Sequence, residues 1–359
     1  MSELNSAAEV KLKFLSTYLD KIEDRLMSFQ ATPSRQGNHI LFDFPFGQGS
    51  FDIKPGRLLM RACSTDREGL ARVKDLLATA VQVYGKAESP LIRWAGDLAG
   101  ETRLPQFREM TVAEVTQLTP LMKRIRLEGD DLDRFAKFGG MHIRVLFPTA
   151  QVPNPEWPTM GENGLAVWPA EDRKPTPRAY TVRHLNVVEG WMEVDFLVHD
   201  GESVGARWAM QAITGQKIGI MGPVGRPVPL DAQWYVMGCD ETGLPALSRM
   251  LETLAPETQG IAYIEVADEA EHQKLTNHTQ IEVQWIYRNG MHAGHDHRLA
   301  DLVLAVDWPQ DCKCFGWFAA EGGAAARVRH TWRKERGLGR DNTLTATYWR
   351  LGHSGFMAG

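Results

Sequence analysis

The sequence predicts a multidomain chain: a small α+β domain over residues 1–98, an antiparallel β-barrel over 105–231, and an α/β domain with a parallel sheet over 232–359. Three observations carry this reading. Short strand-like runs between two amphipathic helical stretches fill the first part. Consecutive strands at short intervals fill the second, a pattern that suits a small barrel. Strand and helix alternate through the third, as in a parallel sheet covered on both faces. At 359 residues the chain is long enough for two or three domains.

In the first part, Val10, Phe14, Leu15, Tyr18, Leu19, Ile22, Leu26 and Phe29 recur at helical spacing and predict a helix over 10–29. Strands are expected near His39–Phe46, Gly49–Lys54 and Arg57–Cys63, with turns at Gly47 and Pro55-Gly56. Thr65-x-x-Glu68 reads as a capping box opening a second helix that runs to about Tyr84. No catalytic constellation stands out here.

The barrel strands are expected at Arg108–Leu118, Lys123–Leu127, Met141–Phe147, Tyr180–Val188, Trp191–His199 and Lys217–Met221. The proline-rich stretch 148–177 reads as a long loop over the barrel. In the last part, strands at Gln233–Gly238, Ile261–Ala267, Ile281–Ile286, Lys313–Ala320 and Leu344–Trp349 alternate with helices at Gly243–Leu254, Arg298–Val306 and Gly323–Arg336.

Composition narrows the function. A net charge of −5, from 40 basic and 45 acidic residues, argues against a general nucleic-acid binder but leaves room for a local basic pocket. The four cysteines include no CxxC pair, so neither a zinc ribbon nor a cluster motif is supported. Cys312 and Cys314 alternate on a strand and read as small core residues. No apolar leader and no membrane-length apolar run is present, so a cytoplasmic protein without membrane partners is expected.

Several stretches carry chemistry. In Pro177-Arg178-Ala179-Tyr180-Thr181-Val182-Arg183, alternation puts Arg178 and Tyr180 on one face and Thr181 on the other. A guanidinium can grip a pyrophosphate through two parallel hydrogen bonds, a tyrosine can stack on a flat heterocycle, and a hydroxyl can bond a ring nitrogen. Asp195-Phe196-Leu197-Val198-His199 precedes Gly205-Ala206-Arg207-Trp208, a turn entering a short helix whose N–H groups can face a phosphate. Gly238-Cys239-Asp240-Glu241-Thr242-Gly243 ends the first strand of the sheet, where dinucleotides bind, although the GxGxxG fingerprint is missing. Thr242 alternatively caps the following helix. Ala320-Glu321-Gly322-Gly323 is a second strand-to-helix turn, and Tyr348-Trp349-Arg350 lies near the end. His292, His295 and His297 could ligate a transition metal, but loop histidines are commonly just solvated and no metal is expected.

In order, RAYTVR, DFLVH, ARWA, MGPVGR, GCDETGLPA, the AAEGG turn with its basic helix, and YWRLG resemble the siderophore-interacting protein family, flavin-dependent ferric reductases of the ferredoxin-reductase-like superfamily. Residues 1–98 resemble a small domain of unknown function commonly fused ahead of that family, on HILFDFPFGQGSFDI and LLMRACSTDREGL. The resemblance makes the barrel an FAD-binding domain and the sheet domain an NAD(P)H-binding one. It implies FAD bound by Arg178, Tyr180, Thr181, Arg183, His199, Gly205, Ala206, Arg207, Trp208, Asp240, Thr242 and Trp349. It implies NAD(P)H at Glu241, Ala320, Glu321 and Gly322. Two positions depart from the family: Ala206 stands where its GPAS turn has a hydroxyl, and Ala320-Glu321 replaces its GE turn.

The implied activity is NAD(P)H-driven reduction of a ferric siderophore, which releases iron because ferrous iron binds hard oxygen donors weakly. NADPH and NADH are both open as donor; Asp268 and Glu269 could bond a ribose diol, which hints at NADH. Arg327, Arg329, Arg333, Lys334, Arg336 and Arg340 on and beyond the last helix are candidates to attract an anionic siderophore, with plain solvation as the alternative. A monomer or weak dimer is expected. The competing readings are a reductase of the same fold with another acceptor, such as free flavin or an iron–sulfur protein, and a siderophore-binding module without turnover.

Overall fold

A computed structural model describes residues 3–101, 103–137, 140–199 and 203–353. The strands are β1 (Leu4–Lys11), β2 (Thr32–Gln36), β3 (His39–Phe44), β4 (Gly47–Lys54), β5 (Arg57–Ser64), β6 (Ala95–Gly96), β7 (Phe107–Thr119), β8 (Met122–Glu128), β9 (His142–Phe147), β10 (Thr159–Met160), β11 (Ala166–Val167), β12 (Thr176–Asn186), β13 (Trp191–Leu197), β14 (Lys217–Val224), β15 (Trp234–Cys239), β16 (Gln259–Val266), β17 (Gln280–Tyr287), β18 (Cys314–Glu321) and β19 (Thr343–Trp349). The α-helices are α1 (Leu19–Met27), α2 (Arg67–Tyr84), α3 (Asp133–Lys137), α4 (Val204–Gln211), α5 (Leu244–Thr253), α6 (Arg298–Ala305) and α7 (Gly322–His330). No helix among the described residues is long and apolar enough to cross a membrane.

The chain forms two compact units. One is residues 1–107 with 154–174; the other is 108–153 with 175–359. The first is a six-stranded sheet in the order β2-β3-β4-β5-β1-β6, with α1 and α2 contributing Ile22, Leu26, Val73 and Leu77 to its core. Two expectations change here. The helix expected over 10–29 is shorter, α1 covering only Leu19–Met27: residues 10 and 11 end strand β1, because Ala8, Val10 and Leu12 are buried at period two and Val10 pairs with Leu58. Asp66, not Thr65, caps α2, its Oδ1 accepting from the Gly69 N–H at 2.8 Å.

The proline-rich segment is also placed differently from the sequence reading. Of the stretch 148–177, residues 154–174 pack with the first unit, whereas 148–153 and 175–177 stay with the second. Trp94 Nε1 donates to the Asn163 carbonyl at 3.1 Å, Trp157 lies 5.6 Å from the Phe107 ring, and Leu165 joins the core. The aromatic and aliphatic side chains between the prolines find their apolar partners there.

The second unit joins a closed antiparallel barrel, β12-β13-β8-β7-β14-β9, to a parallel sheet in the order β17-β16-β15-β18-β19. Barrel strands alternate, sending Val112, Ile125, Val145, Val182, Val194 and Ile220 inward. The sheet strands β15 and β18 are buried nearly throughout, as parallel strands covered on both faces must be. The order places a topological switch point between β15 and β18, where the carboxyl ends of the strands open a crevice.

Candidate functional site

Two edges of the second unit carry the residues singled out by sequence. On the barrel side, β12 puts Arg178 and Tyr180 on one face and Thr181 and Arg183 on the other. Among the described residues the half-buried Arg178 guanidinium donates only to the neighbouring Pro177 carbonyl, at 2.7 Å, and burial lowers its pKa. The Tyr180 ring packs 4.5 Å from Phe196 and 5.8 Å from Phe147, and burial pushes its hydroxyl up. That hydroxyl lies against the N-terminus of α4: a Cβ on Gly205 would fall 1.8 Å from it, so only glycine fits. The N-cap residue of α4, Ser203, makes no side-chain cap hydrogen bond, and among the described residues no side chain caps its first N–H groups.

Thr181 and Arg183 serve a different contact. Thr181 hydrogen-bonds the Tyr348 hydroxyl, which also meets His142 Nε2. Burial, with Arg249 nearby, lowers His142 to about 4 and keeps it neutral. Arg183 pairs bidentately with Glu252 of α5, NH1 to Oε2 at 2.8 Å, and sits beside His184. Both therefore tie the barrel to the sheet domain. Trp208 and Ala206 are core residues; the indole lies 5.5 Å from both Phe147 and Phe196. Arg207 and His199 are exposed.

On the sheet side, Asp240 follows β15. Its Oδ1 accepts from the Thr242 backbone N–H at 2.9 Å and from the Thr242 hydroxyl, and its Oδ2 accepts from Trp349 Nε1 at 2.6 Å. Thr242 thus anchors Asp240 rather than capping α5, whose N-cap is Gly243. Glu241 points elsewhere: with Glu265 it brackets Arg288, whose NH1 lies 3.0 Å from Glu241 Oε2 and 3.1 Å from Glu265 Oε1, all three buried. The sequence reading missed this triad. The usable signal was Glu265 inside the apolar run of β16, since a charge in a buried strand needs a partner.

A cavity of about 300 Å³ opens at these strand ends, lined among others by Asp240, Glu265, Asp296, His297, Ala320 and Glu321. Burial, reinforced by Glu241, raises Asp240 to about 6. Burial also raises Glu265 to about 7, Asp240 and Asp296 adding to it against Arg288. Glu321 caps α7 through the N–H groups of Gly323 and Ala324, and its Oε1 accepts from the Leu351 N–H at 3.1 Å. The 291–297 loop bends over this edge at Gly294 (φ +80°), where a Cβ would meet Trp349 at 3.0 Å. The His292 and His295 rings are 6.4 Å apart, and among the described residues no three His, Cys, Asp or Glu side chains converge on a metal position.

The donor set on the barrel edge fits a flavin dinucleotide. A guanidinium with no carboxylate partner among the described residues and a helix start whose N-cap residue makes no side-chain bond each suit a pyrophosphate, and the Tyr180 hydroxyl meets that helix start at Gly205. Of the basic residues nominated for a substrate, Arg327 pairs with Asp301 at 2.6 Å and Arg336 donates to the Val306 and Leu304 carbonyls; Arg333 and Arg340 have no carboxylate partner among the described residues.

The comparisons with known proteins agree with this geometry. The family model for the siderophore-interacting FAD-binding domain matches residues 111–227, and that for siderophore-interacting proteins matches 232–352. The ferric vibriobactin reductase of Vibrio cholerae is 32% identical over 233 residues, 64% of this chain and 84% of that protein. The NADPH-dependent ferric-chelate reductase of Escherichia coli is 34% identical over 253 residues, 68% of this chain and 93% of that protein. The crystal structure of a siderophore utilization protein from T. fusca, 31% identical, covers 71% of this chain and 97% of its own with a TM-score of 0.58. A siderophore-interacting protein from Aeromonas hydrophila, 24% identical, shares the fold with a TM-score of 0.59 over 69% of this chain and 93% of its own.

Proposed function

The chain belongs to the siderophore-interacting protein family, and from that premise we propose that it is an FAD-dependent NAD(P)H:ferric-siderophore oxidoreductase that reduces Fe(III) to Fe(II) and so frees the metal. The observation that carries the reading is Arg178, half-buried and bonded among the described residues only to its own strand, two residues from Tyr180, whose hydroxyl lies against Gly205 at the start of α4, all within the residues matched to an FAD-binding domain.

On this reading Arg178 and the N–H groups at Gly205 and Ala206 hold the pyrophosphate, and Tyr180 orients the ring system. When bound, FAD supplies the exchange between two-electron transfer from a nicotinamide and one-electron transfer to iron. Asp240, held by Thr242 and Trp349, fixes the wall between the two edges, and Ala320, Glu321 and Gly323 border the cavity that takes the nicotinamide. Arg207 and His199 lie exposed near α4, within reach of the solvent-facing part of the cofactor. Ferric siderophore is the substrate. It needs no protein ligands to iron, because ferrous iron leaves oxygen donors readily. We place the protein in the cytoplasm as a monomer or weak dimer.

Purification followed by steady-state assay tests the reading. A yellow protein releasing FAD on denaturation, whose NADH or NADPH oxidation is stimulated by ferric chelates with ferrous iron trapped as product, is the expected result. Colourless protein that takes up no FAD, or flavoprotein that no ferric chelate stimulates, overturns it.

A further inference from the structure

On the reading above, the donor dinucleotide lies across the carboxyl ends of the sheet strands, with its adenosine ribose toward the end of the second strand, β16. NADPH differs from NADH there by one phosphate. A guanidinium or the N–H groups of a helix start would hold such a phosphate. This edge contains both kinds of group, and carboxylates of the chain itself already occupy them.

Arg288, at the end of β17, is buried between Glu241 and Glu265, its NH1 3.0 Å from Glu241 Oε2 and 3.1 Å from Glu265 Oε1. Arg298, the first residue of α6, directs its Nε at both Asp296 oxygens, 3.1 and 2.8 Å away, and a terminal nitrogen at the Tyr287 carbonyl, 2.7 Å away. The start of α6 is closed by the same carboxylate, Asp296 Oδ1 accepting from the Arg298 N–H at 3.0 Å. Glu321 closes the start of α7 in the same way. Arg327 lines the cavity but pairs with Asp301 at 2.6 Å. A further arginine, Arg350, lies against Gly322 just beyond β19, three strands from β16 and so about 14 Å across the sheet.

The wall left facing the cavity is negative: Asp240, Glu265, Asp296 and Glu321 all line it. The Asp296 side chain is only 3% exposed, and its bond to Arg298 holds the carboxyl below the usual carboxylate range, so it stays ionised at neutral pH. Burial raises Glu265 to about 7, and Asp240 and Asp296 add to the rise against Arg288. The edge thus already sheds negative charge by holding a proton, and a 2′-phosphate would bring about two charges more. Asp268, which the sequence offered for a ribose diol, is engaged in capping a short turn through the Ala270 N–H at 2.9 Å.

We infer that this edge selects NADH and rejects NADPH, and that Asp296 decides the choice: its carboxylate occupies Arg298 and the start of α6, the two groups that would otherwise take a 2′-phosphate. The inference rests on the reading that the donor lies in this cavity and goes beyond it by choosing between the two donors.

The test uses the flavin-loaded protein with ferricyanide as acceptor, so that the outcome does not depend on ferric-chelate reduction. Wild type is expected to favour NADH over NADPH by about tenfold or more in kcat/KM, mainly through KM. Asp296→Asn removes the charge and releases Arg298. It should cut that ratio by about tenfold by lowering KM for NADPH, with KM for NADH changed less than about threefold. A merely structural role for Asp296 would raise both KM values together and leave the ratio alone. Calorimetry with 5′-AMP and adenosine 2′,5′-bisphosphate, which needs no turnover, should show the same preference for the ligand without the 2′-phosphate and the same narrowing in the variant. Glu265→Gln should narrow the ratio less, because Glu265 is only part-ionised at neutral pH; it carries the comparison if Asp296→Asn does not fold. Wild type that uses NADPH as well as NADH overturns the inference and leaves the cavity reading intact. An unchanged ratio in folded Asp296→Asn also overturns it. If neither donor is bound or oxidised, the cavity reading falls and takes the inference with it.

Discussion

The barrel edge and the sheet edge of the second unit handle charge in opposite ways. On the barrel edge, Arg178 keeps its charge without a carboxylate partner and α4 keeps its N–H groups uncapped. On the sheet edge, nearly every polar group is satisfied from within: Asp240 by Thr242 and Trp349, Glu241 and Glu265 by Arg288, Glu321 by α7. An edge left unsatisfied stores binding energy for a ligand, whereas an edge satisfied internally spends its polar groups on holding shape. Substitutions on the barrel edge should therefore cost cofactor, and those on the sheet edge should cost stability.

The largest effect is expected from Arg288→Ala. It leaves Glu241 and Glu265 buried and unpaired, which costs about 3–5 kcal/mol. Denaturant titration with a tryptophan readout measures it. A loss under about 1 kcal/mol, within the range of a surface ion pair, would show that water replaces the guanidinium and that this edge is not sealed.

Next comes Arg178→Ala. Losing a charge-assisted contact to a pyrophosphate weakens FAD by about ten- to a hundredfold. Because Arg178 bonds only to its own strand, the apoprotein's denaturation midpoint should hardly move. Flavin content after gel filtration, set beside that midpoint, separates the two. Full flavin retention would mean that the cofactor lies elsewhere.

The sequence made the barrel edge legible and the sheet edge only partly so. Arg178 and Tyr180 share a face by strand alternation alone, and a Gly-containing turn entering a helix marks α4. Thr181 and Arg183, on the other face, read equally as cofactor ligands; the contacts the structure gives them, Tyr348 and Glu252, lie far off in the chain and leave no local trace. Arg288 and Glu265 were hidden for the same reason. The placement of 154–174 was hidden because proline content says where a regular element ends, not which core its tryptophans enter.

The comparison sharpens through pH. Glu265 is raised from 4.5 to about 7 in the folded protein. Between those values the folded chain holds more protons than the unfolded one, so stability is highest below about pH 4.5 and falls as pH rises through about 7. The slope is at most about 1 kcal/mol per pH unit, and Asp240, raised to about 6, adds to it with the same sign. Glu265→Gln should remove the larger part of this slope. Wild-type stability that rises over this window would place the charged Glu265–Arg288 pair, not the burial of the carboxyl, in control.

The smallest effect separates the two edges most sharply. Glu321 lines the cavity at the carboxyl ends of the sheet strands, where we propose that the nicotinamide binds, and also caps α7, so both roles are open to it. As a cap, Glu321→Ala costs about 1 kcal/mol, or roughly 2–4 °C in Tm for a unit of this size. Its carboxylate oxygens already accept from Gly323, Ala324 and Leu351, and its negative charge gives it nothing to offer a phosphate. Affinity for NADH or NADPH, measured by tryptophan quenching, should then change less than about threefold, below 1 kcal/mol. A tenfold loss of nicotinamide affinity at unchanged Tm would reverse the assignment and show that the sheet edge, too, keeps a group in reserve for its ligand.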